Sequence, residues 1–121
     1  MKYSKIMSLL TAGYGAFALA RPRHLADGLK VPSAQAPAFD RMAYTYAARD
    51  LTVSGLALTS RNPSVVTAAM VLRILGDLSD AAVLGTDTSR PDVQKKVLAA
   101  TVGWAALNAA ALVADRRALK A

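Results

Sequence analysis

The segment from Ser64 to Gly85, SVVTAAMVLRILGDLSDAAVLG, decides the fold. It is mostly apolar and of membrane-spanning length, yet it carries Arg73, Asp77 and Asp80. On a helix these positions are spaced i, i+4, i+7 and form one stripe, with Gly76 between them. Val71, Ile74, Leu75, Leu78 and Ala82 fall on the other side, which suits lipid. A charge at mid-bilayer costs about 2.5–3.5 kcal/mol, and a leucine returns only about 0.3–0.6 kcal/mol. The stripe therefore needs polar partners on neighbouring helices.

Working outward, the preceding span, about 43–60, reads AYTYAARDLTVSGLALTS. Tyr46, Arg49, Asp50 and Val53 share one side, with Ser54 at its margin. Arg61-Asn62-Pro63 is a tight turn, and Pro63 suits the first turn of the next helix. Folding the two spans back on each other about Asn62, at about 1.5 Å per residue, puts Asp50 level with Arg73. The same count puts Arg49 within a turn of Asp77. Two opposite-charge pairings in register are thus expected.

The first span, about 3–20, has no charge after Lys5. Its Ala18-Leu19-Ala20 ending resembles a signal-peptide cleavage site, but Arg21-Pro22 directly after it weighs against cleavage and favours a retained helix. Gly13 and Gly15 would admit a close neighbour, and Tyr14 puts a hydroxyl within the span. Residues 21–42 hold Pro22, Gly28, Pro32 and Pro37, so a connecting loop is expected, with a lid over the site as the alternative. Ser89 or Asp92 is placed to cap the last span, about 96–114. That span is apolar all round except for a stripe of Thr101, Trp104 and Asn108, with Asp115 beyond it.

Composition agrees with a lipid setting. Of the 121 residues 54% are hydrophobic, and mean hydropathy is +0.28. All eight acids are Asp, whereas a soluble bundle normally sets Glu against Lys on its wet faces. The chain has no Cys and one His, His24, which excludes disulfides, thiolate chemistry and a histidine zinc cluster; no metal or other cofactor is expected. The net charge of +7 comes from cations at the ends of apolar segments. That placement suits lipid headgroups and argues against nucleic acid. Lys and Arg divide too evenly between the two sides to set an orientation.

The expected fold is all-α: one domain, 1–121, forming an antiparallel up-down four-transmembrane-helix bundle with a buried polar centre. Five charged side chains, Arg49, Asp50, Arg73, Asp77 and Asp80, would sum to one net negative charge, so the set offers both an acid and a base. Intramembrane ionisable groups are functional candidates. An ion-pair network that only fixes helix register is the competing reading. Asp80 is the surplus carboxylate beyond two neat pairs.

The run YTYAARDLTVSGLAL followed by LRILGDLSDAAVL resembles the family of small four-helix integral membrane proteins called DUF4267. The resemblance implies a four-span bundle with Arg49 and Asp50 in the second span and an acidic Asp77 in the third. Some fungal relatives are associated with epoxide opening in polyketide pathways, which implies epoxide hydrolysis or epoxide-opening cyclisation of a lipophilic substrate. Soluble limonene-epoxide hydrolases use a comparable Asp, Arg, Asp set with Tyr and Asn. On that analogy Asp77 is the base, Asp50 or Asp80 the acid, and Arg49 or Arg73 the bridge between carboxylates. Tyr46 and Asn108 would position water; Trp104 and Tyr14 would line an apolar pocket. The alternative is a non-catalytic membrane module, an assembly subunit or lipophile-binding protein. Association with further copies of the chain stays open.

Overall fold

A computed structural model describes residues 1–86 and 90–120, with side chains at all of these except 85 and 86. The described residues form helices and short connections, with no strand among them: α1 (Lys2–Ala20), α2 (Arg23–Leu29), α3 (Ala36–Thr59), α4 (Pro63–Thr86) and α5 (Pro91–Lys120), with a 3-10 turn at Ser33–Gln35 before α3. The four long helices form a ring in which α1 and α4 each pack against both α3 and α5. Neighbours run antiparallel: Ser4 meets Asp115 while Thr11 meets Trp104, and Arg49 meets Asp80 while Ser54 meets Arg73.

Proline decides several boundaries. Pro37 sits in the first turn of α3, where its missing N–H is not needed. This helix therefore starts at Ala36, well before the expected 43. For the same reason α5 starts at Pro91 instead of about 96, and it runs on to Lys120. The segment expected to be a loop contains α2 instead, which ends at Lys30 in the left-handed conformation (φ 54°, ψ 43°). Gly28 lies inside that helix, so it is not the punctuation expected of it. Asn62 Oδ1 accepts the Ser64 amide at 2.9 Å and caps α4. The Ser89 cap expected for α5 lies outside the described residues.

Helix ends are also capped across the bundle. Asp115 of α5 accepts the first amides of α1, from Tyr3 at 3.0 Å and Ser4 at 2.6 Å. Burial works against its charge, but Ser4 and the Tyr3 amide outweigh it and hold the carboxyl below its ordinary value. Lys5 Nζ donates to the carbonyls of Ala57 (2.9 Å), Leu58 (3.1 Å) and Ser60 (2.9 Å), which the end of α3 would leave unpaired. Gly15 admits the close approach of α3: a Cβ there would lie 3.0 Å from Leu51 Cγ. Gly13 faces open space, so only one of the two expected glycine contacts forms.

Polarity is distributed inside out. Arg73, Asp77, Asp80, Asn108, Asp115, Ser4, Ser8, Thr11 and Ser54 are all buried. Leu9 (63% exposed), Leu72 (57%), Leu75 (58%) and Leu107 (55%) face outward, among many other large apolar side chains. Two apolar clusters flank the polar centre. One is Met7, Ala57, Val66, Ala69, Met70 and Ala111; the other is Leu29, Leu84, Val93 and Val97, beneath α2.

Among the described residues one helix, α5, is long and apolar enough to cross a membrane by length and composition, where four spans were expected. Charges account for part of the shortfall: α4 carries three and α3 carries Arg49 and Asp50 near its middle, which lowers the apolarity of both although the three of α4 are buried in the bundle.

Candidate functional site

Two arginines organise the interior. Arg49, on α3, makes a bidentate contact with Asp80 of α4, Nη1 to Oδ1 at 2.9 Å and Nη2 to Oδ2 at 2.7 Å. Its Nη2 also reaches Asp50 Oδ1 at 3.3 Å, and the guanidinium lies 5.1 Å from the Tyr46 ring centre. Gly76 makes room for this group, since a Cβ there would sit 3.3 Å from Arg49 Cζ. Arg73 instead donates to neutral atoms: Ser54 Oγ (2.7 Å), Ser8 Oγ (2.9 Å), Met70 Sδ (3.2 Å) and Asn108 Oδ1 (3.4 Å).

The expected pairings, Asp50 with Arg73 and Arg49 with Asp77, are therefore replaced. The reason is side-chain direction. Helical side chains lean toward the helix N-terminus, so on antiparallel neighbours they lean in opposite senses. Arg49 leans away from the Asn62 turn and meets Asp80, which leans toward it. Arg73 leans toward the turn and meets Ser54. Counting Cα levels alone misses this by about one helical turn. It also misassigns the surplus acid: Asp80 is the most tightly paired carboxylate, and Asp77 is the one left over. Asp77 is 9% exposed, and its Oδ2 is buried with no hydrogen-bond partner among the described residues.

Asp77 faces a cavity of about 260 Å³. Arg49, Asp50 and Asp80 line the same cavity, with Tyr46, Ala43 and Ala47 from α3 and Leu84 from α4. α1 contributes Thr11, Tyr14 and Ala18; α5 contributes Ala100, Thr101 and Trp104; α2 contributes His24 and Leu25. Of the nine residues singled out in the sequence, seven meet here. Arg73 and Asn108 do not line the cavity but lie behind it, where Asn108 is fully buried and its Nδ2 donates to the Trp104 carbonyl at 2.8 Å. Trp104 is fixed by its indole N–H, which donates to Thr11 Oγ1 at 3.1 Å.

The chain matches no protein-family model, no curated protein and no solved structure. What the site can do thus rests on its own atoms: a lone carboxylate in a largely apolar cavity, beside two carboxylates engaged by one guanidinium.

His24 is the titratable cavity residue that the sequence did not single out for the site. α2 folds back over the end of α1, so its imidazole Nε2 lies 2.7 Å from Tyr14 Oη and its Nδ1 lies 2.7 Å from the Arg21 carbonyl. The Phe17 ring packs beside it, with centroids 5.2 Å apart. Arg23 ties α2 to α3 through a two-oxygen contact with Asp40, 2.9–3.1 Å. That link holds the Arg23 guanidinium above its ordinary pKa, chiefly through the hydrogen bond. α2 therefore does close one side of the cavity.

Proposed function

We propose that the chain is a multi-pass integral membrane enzyme, a four-span bundle that uses Asp77 as a base on a lipophilic substrate held in the cavity. Epoxide hydrolysis or epoxide-opening cyclisation is the reaction we infer, in keeping with the resemblance to DUF4267. The observation that carries the reading is Asp77: a carboxylate unpaired among the described residues, facing an apolar cavity of about 260 Å³. Catalytic bases need a free lone pair within reach of the substrate, whereas a carboxylate kept for architecture is normally paired. The membrane setting is supported by the outward leucines around a charged interior. Soluble monomers rarely expose apolar surface on this scale.

On this reading Asp77 takes the proton from water, or from a hydroxyl of the substrate, as that oxygen attacks an epoxide carbon. Arg49 holds Asp80 and Asp50 as acceptors and keeps positive charge beside the developing oxyanion. Trp104 and the alanines of α3 and α5 shape the apolar wall.

Purified protein in lipid nanodiscs, given limonene oxide or styrene oxide, tests the reading. Asp77→Asn should lower turnover about 10²–10⁴-fold, the usual contribution of a positioned base, while the melting temperature holds. Turnover that survives the change removes Asp77 from the chemistry.

A second reading is favoured by one observation, the packing of Arg73 among neutral partners without a cavity of its own. It makes the interior a device for helix register in a non-catalytic membrane module. Inactivity of the wild-type protein toward both epoxides would point that way.

A further inference from the structure

We propose that Tyr14 delivers the proton to the oxygen released from the substrate and that His24 resupplies it from the water-facing end of the bundle. The proposal deepens the reading of the cavity as a reaction site and rests on it. Its starting point is a vacancy in the proton inventory. Asp80 accepts from Arg49 through both oxygens, and Asp50 Oδ1 accepts from the same guanidinium. Asp80 is thus not arranged as a donor and Asp50 is held by the same cation, so we assign the acid role to another group lining the cavity.

Tyr14 is such a group, and its partner fixes how it can act. A carbonyl oxygen only accepts, so the 2.7 Å contact with Arg21 puts a proton on His24 Nδ1. His24 Nε2 is then left for Tyr14 Oη, also at 2.7 Å. In the neutral ring Nε2 accepts the phenol proton; in the imidazolium Nε2–H donates to the phenol oxygen. One short contact thus serves both protonation states, as a relay requires. Phe17 packs against the ring. The Arg23–Asp40 ion pair holds α2, and with it His24, in place.

The charged groups facing the pair across the cavity are Arg49 and Asp50 of α3 and Asp77 and Asp80 of α4; α5 contributes only the uncharged Thr101 and Trp104 beside alanine. On α2 itself the ionic groups are Arg23, already engaged by Asp40, and Asp27.

The step balances. Water oxygen bonds to an epoxide carbon while Asp77 takes its proton. The C–O bond breaks, its electron pair stays on the ring oxygen, and the Tyr14 O–H proton moves to that oxygen. The imidazolium of His24 returns a proton to the Tyr14 phenolate and is recharged from solvent. Asp77 gives its proton back to solvent, and the net change is addition of water to the epoxide.

Turnover of limonene oxide and styrene oxide in nanodiscs is measured against pH for wild type, Tyr14→Phe, His24→Ala and Asp77→Asn, alongside melting temperatures. Tyr14→Phe, which removes one oxygen, should lower kcat at least 10²-fold with KM and melting temperature unchanged. His24→Ala should lower kcat about tenfold or more. Added imidazole should restore it in proportion to concentration, and should not rescue Tyr14→Phe. A merely structural histidine would show no such rescue. Wild-type kcat in Tyr14→Phe beside an inactive Asp77→Asn overturns this proposal and leaves the site reading standing. Full activity in Asp77→Asn, or none in wild type, overturns the site reading and this proposal together.

Discussion

Arg73 and Arg49 lie on adjacent helices of one bundle and are solved by opposite means. Arg73 is 4% exposed and is surrounded by hydroxyls, a thioether and an amide, with no carboxylate in contact among the described residues. Arg49 is about one-third exposed in its side chain, grips two carboxylates and borders open space. A buried cation can be held by many neutral dipoles or by a few opposite charges. The first solution leaves only the Arg73 Nε unpartnered among the described residues, and that atom does not border the cavity. The second leaves Asp77 over, facing a cavity, and that remainder is where chemistry is available.

The contrast predicts its largest stability effect at Arg49. Arg49→Met strands Asp80 and Asp50 together, and breaking a buried pair by removing one partner costs about 3–5 kcal/mol. Unfolding in mixed micelles should show that loss. Arg49→Met combined with Asp80→Asn should recover part of it, because the orphaned charge is gone. An additive double variant would mean that the contact contributes no coupling.

Next in size is a cation placed where no node exists. Leu75 is two residues from Arg73 on the same helix and is 58% exposed. Leu75→Arg should cost about 2.5–3.5 kcal/mol of membrane insertion, the amount assigned to a central arginine. The measurement is the inserted fraction in a translocation assay that compares Leu75→Arg with Leu75→Ala. Equal insertion of the two would count against lipid at this face.

How much of this could be read from the chain follows from which physical signals are local. The α4 stripe was legible because helical periodicity fixes which residues share a face, and Arg73, Asp77 and Asp80 are indeed buried together while Leu75 and Leu78 point outward. The nearness of Arg49 and Asp77 in depth followed from counting rise along the two spans about Asn62. Partner choice did not, since it depends on the lean of each side chain and on Gly76 admitting the Arg49 guanidinium. His24 was hidden because α2 lies between Pro22 and Pro32 in a stretch read as a loop. The available signal was a Tyr14–Phe17 aromatic pair just before a proline turn, with the one histidine just after it.

A smaller effect is expected at Asp115, an acid outside the comparison that shows what a carboxylate does when it is fully used. Asp115→Asn leaves one neutral oxygen to accept from the Tyr3 and Ser4 amides and turns an NH2 toward the other; hydrogen bonds to charged groups contribute about 1.5–3 kcal/mol, and part of this should be lost. Because the folded carboxyl sits below its ordinary value of about 3.9, the contribution is complete above that value and fades as pH falls through the lower folded value. The stability gap between wild type and Asp115→Asn should therefore be constant near neutrality and close in acid. A gap that persists after full protonation would belong to packing.

The smallest change should come from Arg73→Met, which makes it the sharpest measure of the contrast. Taking away the guanidinium releases the cost of burying a cation and leaves partners with bonds of their own: Ser8 Oγ donates to the Ser4 carbonyl at 2.8 Å, and Asn108 Nδ2 donates to the Trp104 carbonyl. Ser54 loses its charged partner, a cost on the order of 1 kcal/mol that the removed desolvation offsets. Stability within about 1 kcal/mol of wild type is expected, with epoxide turnover retained, because Arg73 does not border the cavity. A loss as large as that of Arg49→Met would show that Arg73 balances the charge of Asp77 at longer range. The interior would then be one electrostatic unit, and Asp77 would no longer be a carboxylate left over.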